Sequence, residues 1–237
     1  ASPNVVLNTI MAQELEEFAD ILEQSNDFQV DLQNLLHDTF KAHQRIIFNG
    51  NGYGEDWVQE AQRRGLSNLR DTVDCMPAYI DPKNIRLFAG HNILSETEMR
   101  ARYEIHLENY CKVTAIEAAT LRDMVLRGIL PAVNRYTADL TQAILHKREL
   151  VVPCRVEEDL LQKLSALTGS LYDTMAAINE AMDKAPDAEG GIDAARYYRE
   201  EIVRRMEEAR QSIDQLESLT AAKYWPYPTY ADILFSV

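Results

Sequence analysis

The sequence predicts an all-α protein in which long amphipathic helices pack as an antiparallel bundle or hairpin. Apolar residues recur at steps of three and four over several long stretches, as expected for helices that bury one face. Prolines and glycines fall between these stretches and mark their ends. Because such helices are marginal alone in water, their apolar faces must be covered by one another or by a further chain.

Residues 1–48 are predicted to form a pair of helices. Ser2 is a suitable N-cap with Pro3 at the first helical position, and apolar residues follow at helical spacing from Val6 to Leu22. Asp27 can cap a second helix. The apolar positions of that helix are Leu32, Leu35, Leu36, Phe40, Ile46 and Ile47. So short a turn between the two helices predicts that they lie antiparallel.

Residues 49–94 are predicted to form a connector that starts with an Asn/Gly loop. Three alternating glycines, at positions 50, 52 and 54, predict positive φ angles that side chains would disfavour. Glu55 then opens a short amphipathic helix with acidic residues at its positive end, and Gly65 is placed to end it as the C′ residue. Residues 67–92 are predicted to be irregular, because Pro77 and Pro82 interrupt any long element.

Residues 95–237 are predicted to form a bundle of long helices. Ser95 and Glu98 have the spacing of a capping box that opens the longest helical pattern, and Pro131 is expected to bend that helix or divide it in two. Two further apolar stripes predict helices on either side of a loop at residues 186–191. The aromatic tail at residues 224–230 is predicted to be extended, because prolines keep the preceding residues out of the helical region.

Composition limits the classes of partner and compartment. The chain carries 38 acidic and 24 basic residues, a formal charge of −14 that disfavours nucleic acid and anionic lipid surfaces. Its three cysteines stand far apart and form no CxxC pair, so neither a disulfide framework nor a zinc site is predicted. A cytoplasmic protein without membrane contact is therefore expected, since no stretch resembles a membrane span or a signal peptide.

The residues indicate no catalytic, cofactor-binding or metal-binding site. Glu104 and Glu108 would share a helix face at i, i+4, but His106 would point elsewhere, so surface carboxylates and a half-buried histidine are favoured over a metal or acid–base cluster. His37 and His43 are poorly spaced to cooperate. None of the five histidines has the Glu-x-x-His spacing of a di-iron bundle, and nucleotide-binding signatures are missing from the sequence.

The Asn49–Gly54 loop has two interpretations. Its backbone amides are able to hold an anion, as glycine-rich turns often do, with Arg45, Arg63 and Arg64 as the nearby basic residues. A demanding turn between packed helices is favoured instead.

Four segments together carry a resemblance to a known family. They are SPNVVLNTI at residues 2–10, the connector RIIFNGNGYGEDWVQEAQRRGL at residues 45–66, YEIHLENY at residues 103–110 and WPYPTY at residues 225–230. Their order over nearly the whole chain resembles the carboxy-terminal part of a type III glutamine synthetase. The absence of an initial methionine and the helix that starts at once agree with a fragment, although removal of methionine before Ala1 would look the same.

The resemblance implies a structural and assembly role in a glutamate–ammonia ligase. Enzymes of this family use ATP and divalent Mg or Mn, held by motifs upstream of the matching segment, so no catalytic residue carries over to this sequence. The first helix would close the catalytic domain, and the remainder would be the type III extension. Family members form double hexameric rings, so the implied partners are the rest of the catalytic domain and other subunits.

Two other functions remain open from the residues. One is a stand-alone helical scaffold whose long hairpin binds another helix. The other is a helical enzyme that uses Glu104 or His106 in an unrecognised pocket.

Overall fold

All regular structure in the part of the chain that the structure describes, residues 2–228 and 230–234 of a computed structural model, is helical. The α-helices are α1 (Ser2–Glu23), α2 (Phe28–Ala42), α3 (Glu55–Arg63), α4 (Thr72–Tyr79), α5 (Pro82–Gly90), α6 (Glu96–Met124), α7 (Leu130–Glu149), α8 (Arg155–Asp183), α9 (Gly191–Tyr197), α10 (Arg204–Leu219) and α11 (Tyr230–Leu234). A 3₁₀ turn spans Gln44–Ile46, and π-helical segments span Val125–Ile129 and Tyr198–Val203. The all-α prediction is confirmed.

The chain divides into two compact units, Ala1–His106 and Leu107–Val237, and the boundary falls inside α6. In the first unit, α1 contacts both α2 and α5. Asp27 caps α2 as predicted, with its carboxylate accepting from the Val30 amide at 3.3 Å. The predicted second helix is shorter than its apolar pattern, because it ends at Ala42 and the 3₁₀ turn follows.

The end of α3 has the predicted geometry. Gly65 adopts a φ of 71°, its amide donates to Gln62, and the Leu66 amide reaches back to the Ala61 carbonyl at 2.9 Å. These two hydrogen bonds form a Schellman motif, which satisfies carbonyls that the helix end leaves open. Glycine is required here because a side chain disfavours this backbone conformation.

The prediction that residues 67–92 are irregular was wrong over most of that range, because α4 and α5 lie within it. Asp71 caps α4 by accepting from the Asp74 amide at 2.8 Å, and Asp81 caps α5 by accepting from the Lys83 amide at 2.9 Å. Pro82 occupies the first turn of α5, where no helical N–H is needed. Pro77 lies inside α4, and the helix forms there although proline supplies no N–H donor.

Helices α4 and α5 supply much of the core of the first unit. Its most buried side chains come from four helices, α1, α4, α5 and the start of α6. They are Thr9, Val73, Met76, Phe88 and Met99. The Ser95 capping box at the start of α6 is confirmed, since the Ser95 amide donates to the Glu98 carboxylate at 2.8 Å and the Glu98 amide returns to the Ser95 hydroxyl at 3.3 Å.

The helical path through Pro131 contains a π-helical segment just before the proline. In that segment the Leu130 amide donates to the Val125 carbonyl, one residue further back than in an α-helix. Pro131 follows this segment directly, as the second residue of α7, so the position without an N–H lies next to the π-helical widening. Helix α6, the π-helical segment and α7 therefore follow one another without a break in helical structure.

The second unit is a helical bundle in which α8 packs against both α7 and α10. Because a loop of residues 184–190 joins α8 to the helical stretch that packs back on it, these two stretches run antiparallel. The fully buried side chains include Leu164, Leu171, Met175, Ile178, Ile202 and Leu216. All six belong to the two apolar stripes that the sequence predicts on either side of the loop at residues 186–191.

The aromatic tail follows α10. A turn at residues 222–224 precedes irregular backbone at residues 225–228, and the short helix α11 follows. Thr229, which belongs to the predicted extended tail, lies outside the described residues.

Cys75, Cys111 and Cys154 are all free thiols, and the last two are buried. None of the described helices combines the length and apolar character that a membrane span requires.

Candidate functional site

Glu104, His106 and Glu108 of α6 each interact with different neighbours. Glu104 is exposed beside Glu96 and Arg100, and His106 makes an edge contact with the Tyr79 ring, with centroids 6.3 Å apart. Glu108 forms an ion pair with Lys112, one turn further along the helix. The Glu108 carboxylate is therefore engaged by a lysine.

The remaining histidines of the sequence analysis also serve local structure. His37 is exposed and pairs with its neighbour Asp38 at 2.9 Å, whereas His43 ends α2 by donating its amide to the Thr39 carbonyl. Within residues 2–228 and 230–234, no three His, Cys, Asp or Glu side chains lie close enough to hold a metal ion.

The Asn/Gly connector is organised by an aromatic stack. Phe48 stacks on Trp57 with ring centroids 4.3 Å apart, and the Arg64 guanidinium lies 5.9 Å from the Phe48 centroid and 5.8 Å from the Trp57 centroid. Arg64 also donates to the Ile47 carbonyl at 2.8 Å. The stack and the arginine thus tie the start of the loop to α3.

Gly50, Gly52 and Gly54 of the loop do not have the predicted positive φ angles. Among the described glycines, φ lies in that region at Gly65 and Gly191. Gly50 is required for space instead, because a Cβ atom there would lie 2.4 Å from the Phe48 ring. Tyr53, at the tip of the loop, is fully exposed.

The basic residues beside the loop are engaged with one carboxylate. Arg63 and Arg64 both pair with Glu60 at 2.6 Å, and hydrogen bonds from Arg63 and then Arg64 lower the pKa of Glu60 from 4.5 to about 2. Two of the three arginines proposed as anion ligands are therefore already paired, which supports the interpretation of a structural turn.

We expect the Glu60 carboxyl to titrate with a pKa of about 2 in an NMR pH titration. Because the folded-state pKa is depressed, the stabilisation from these ion pairs is present above pH 4.5 and is lost as the pH falls towards about 2. Arg63→Gln should raise the pKa of Glu60, since it removes the largest cause. Arg70→Gln, which changes an arginine not bonded to Glu60, is the control, and an unchanged pKa in Arg63→Gln would contradict this explanation.

Helix α1 carries an apolar stripe that faces solvent. Leu7, Met11 and Leu15 follow one another at steps of four, so they share a helix face, and each is more than half exposed, at 61%, 57% and 60%. Thr9 lies on another side of the helix and is buried, and Gln13 Oε1 accepts a hydrogen bond from His91 Nε2 at 3.0 Å. Helix α1 therefore packs on the first unit through a mixed face, which also includes half-buried Val6, while this apolar stripe faces outward.

Helix α2 and the turn after it extend the exposed apolar surface. No residue of α2 is buried. Its exposed large apolar side chains, with those of the following turn, are Phe28, Val30, Leu36, Phe40, Ile46 and Ile47. Together the apolar faces of α1 and α2 form what we call the outer apolar surface, defined by these residues and by Leu7, Ile10, Met11, Leu15 and Ile21.

A second feature is the tail at residues 221–228, here called the aromatic strap, which lies along α7 and the π-helical segment. The Tyr224 ring packs on Tyr136 with centroids 5.2 Å apart, and its hydroxyl donates to the Asp139 carboxylate. The Lys223 ammonium lies 4.7 Å from the centroid of the Tyr224 ring. These contacts hold the start of the strap against α7.

The far end of the strap is held by Tyr227. Its hydroxyl donates to the Met124 carbonyl at 3.3 Å, and a Cβ atom added to Gly128 would lie 2.5 Å from that hydroxyl. The glycine of the π-helical segment thus makes room for the tyrosine. The sequence predicted an extended aromatic tail but did not identify Gly128 or Met124 as its contacts.

The described residues form an all-α protein of two units, with the outer apolar surface on the first unit and the aromatic strap on the helical bundle of the second. Residues 31–148 match the glutamine synthetase C-terminal domain family. The chain belongs to this family, and the resemblance to the carboxy-terminal part of a type III glutamine synthetase is confirmed.

Three curated relatives are similar along most or all of the chain. A glutamine synthetase of Butyrivibrio fibrisolvens is 36% identical over 208 residues, which cover 87% of this chain and 30% of that protein. A type-3 glutamine synthetase of Dictyostelium discoideum is 31% identical over 98% of this chain and 33% of its own length. A glutamine synthetase of Bacteroides fragilis is 28% identical over 100% of this chain and 34% of its own length. The chain thus spans about a third of the length of these relatives.

Proposed function

We propose that this chain is a structural and assembly segment of a glutamine synthetase, which makes glutamine from glutamate, ammonia and ATP. The outer apolar surface is the observation that carries the proposal. Burying one Leu, Ile or Met side chain contributes about 1.5–3 kcal/mol, so a surface with this many apolar side chains gains substantially when it is covered. Large exposed apolar patches mark protein contacts.

The orientation of α1 supports the same conclusion. A helix that packed only against its own unit would turn its apolar stripe inward, yet α1 buries Thr9 and exposes Leu7 and Leu15. The arrangement is explained when a further protein surface covers the stripe. We propose that the rest of the catalytic domain of the same enzyme covers it, and that other subunits of a homo-oligomer in the cytoplasm contact the bundle.

The described residues do not fit the ATP and Mg or Mn that the family implies. Within residues 2–228 and 230–234, no three His, Cys, Asp or Glu side chains lie close enough to hold a metal ion, and several carboxylates form local ion pairs, such as Glu157 with Lys147 and Glu158 with Arg148. We therefore propose no catalytic step on this chain. Metal and nucleotide would bind to another part of the enzyme.

The chain alone is expected to form no glutamine when it is supplied with ATP, magnesium, glutamate and ammonia. The reason is that its described side chains form no cluster that could hold the divalent metal ions on which this phosphoryl transfer depends. Glutamine release should be measured by chromatography, with the complete enzyme as the positive control. Turnover by the isolated, purified chain would show that this assignment of roles is wrong.

A further inference from the structure

We propose that a cavity under the aromatic strap binds a small organic ammonium ion with an apolar or aromatic body. The cavity has a volume of about 300 Å³ and lies wholly within the second unit. Its apolar lining includes Leu121, Met124, Ile129, Ile213, Trp225 and Tyr227. This volume is at the lower end of the range for small-molecule sites, which suits a ligand with one ring or a short branched chain.

The walls of the cavity are held in place before any ligand arrives. Tyr227 is fixed by its hydrogen bond to the Met124 carbonyl, and Gly128 leaves the space that its hydroxyl occupies. Ile129 and Ile213 are buried, with exposures of 2% and 8%, so the floor belongs to the packed bundle. A preformed pocket binds with a smaller loss of conformational entropy than one that must be assembled.

The charge of the cavity selects for a cation. Three charged residues, Arg210, Asp214 and Glu217, line it. Asp214 is paired with Arg210 at 2.6 Å, whereas Glu217 makes no ion pair or hydrogen bond with any residue between 2 and 228 or 230 and 234. The carboxylate of Glu217 is therefore the uncompensated charge of the site.

The aromatic lining favours the same class of ligand. Trp225 and Tyr227 line the cavity, and aromatic rings of this kind attract an ammonium group through their quadrupoles and also cover apolar surface. Phosphates and carboxylates are disfavoured beside Glu217 in a chain of formal charge −14. An ammonium head at Glu217 with an apolar body against Ile129 and Ile213 satisfies both parts of the cavity. This proposal does not depend on the proposed assembly role.

Phenethylammonium and its neutral analogue 2-phenylethanol are suitable probes, because they differ in charge and share one body. Binding at pH 7 is measured by the fluorescence of Trp225 in a Trp57→Phe background, since the chain contains two tryptophans. We expect saturable binding of phenethylammonium, roughly tenfold tighter than that of 2-phenylethanol, because a contact with the charged carboxylate distinguishes them.

Two variants, Glu217→Gln and Gly128→Ala, test the location of the site, and Glu207→Gln is the control. Glu217→Gln should weaken phenethylammonium roughly tenfold and leave 2-phenylethanol unchanged. Glu207→Gln makes the same charge change about 15 Å away on α10, outside the cavity lining, and should change neither affinity. Gly128→Ala should weaken both probes, because the added methyl group displaces Tyr227.

The proposal is overturned by any of three results. These are the absence of saturable phenethylammonium binding, equal loss of affinity in Glu217→Gln and Glu207→Gln, and unchanged binding of both probes in Gly128→Ala. Far-UV circular dichroism of each variant establishes that the helices are intact, and selective loss of the ammonium probe in Glu217→Gln supports the site.

Discussion

Leu171→Ala is expected to lower the free energy of unfolding of the second unit by about 3 kcal/mol. Leu171 lies on α8 and has an exposure of 0%, in a helix that packs against both α7 and α10. Removing its isobutyl group loses the transfer free energy of the buried atoms and leaves a cavity that three packed helices cannot readily close. Urea denaturation followed by circular dichroism measures the change.

Leu150→Ala is the matched control, because it deletes the same atoms from a leucine that is 75% exposed at the end of α7. Its effect should lie within about 0.5 kcal/mol of zero. Equal effects of the two substitutions would mean that α8 is not the buried centre of this bundle.

Leu7→Ser with Leu15→Ser is expected to weaken the assembly of a complete glutamine synthetase while leaving the isolated chain folded. Both leucines face solvent on α1, so their loss removes little from the chain itself. If a further protein surface covers them, each substitution forfeits much of one buried side chain, about 4 kcal/mol for the pair. A loss of that size weakens a contact roughly a thousandfold.

The measurement is the size of the complete enzyme by light scattering, together with the thermal unfolding of the isolated chain. Asn8→Ser with Ala12→Ser introduces the same residue at two exposed α1 positions outside the stripe, and it should leave assembly unchanged. If the stripe variant assembles as fully as this control, the outer apolar surface does not contribute to assembly.

Local signals in the sequence predicted the ends of several helices. Asp27, the Ser95–Glu98 box and Gly65 each act through backbone groups a few residues away, so their spacing alone determines the hydrogen bonds. The same rule would have found α4 and α5, because Asp71 and Asp81 are equally local caps. Pro77 and Pro82 instead led to the prediction of an irregular segment, because proline usually interrupts a helix.

The candidate surfaces could be predicted only in part. An apolar stripe on α1 is visible from its spacing, but the direction in which it faces depends on how the helix is rotated against α5. Similarly, the aromatic density of the tail indicates packing without naming Gly128 or Met124 as the contact. The cavity beneath the strap combines residues far apart in sequence and has no local signature.

The sequence by itself determined the helical class, several helix ends and the family, because these depend on periodicity, capping over a few residues and motifs in order. Tertiary structure decided which apolar faces are buried, where Tyr227 rests and that Glu217 borders a cavity. The physical reason is that helical periodicity records which residues share a face, whereas the partner of that face is set by packing between distant segments.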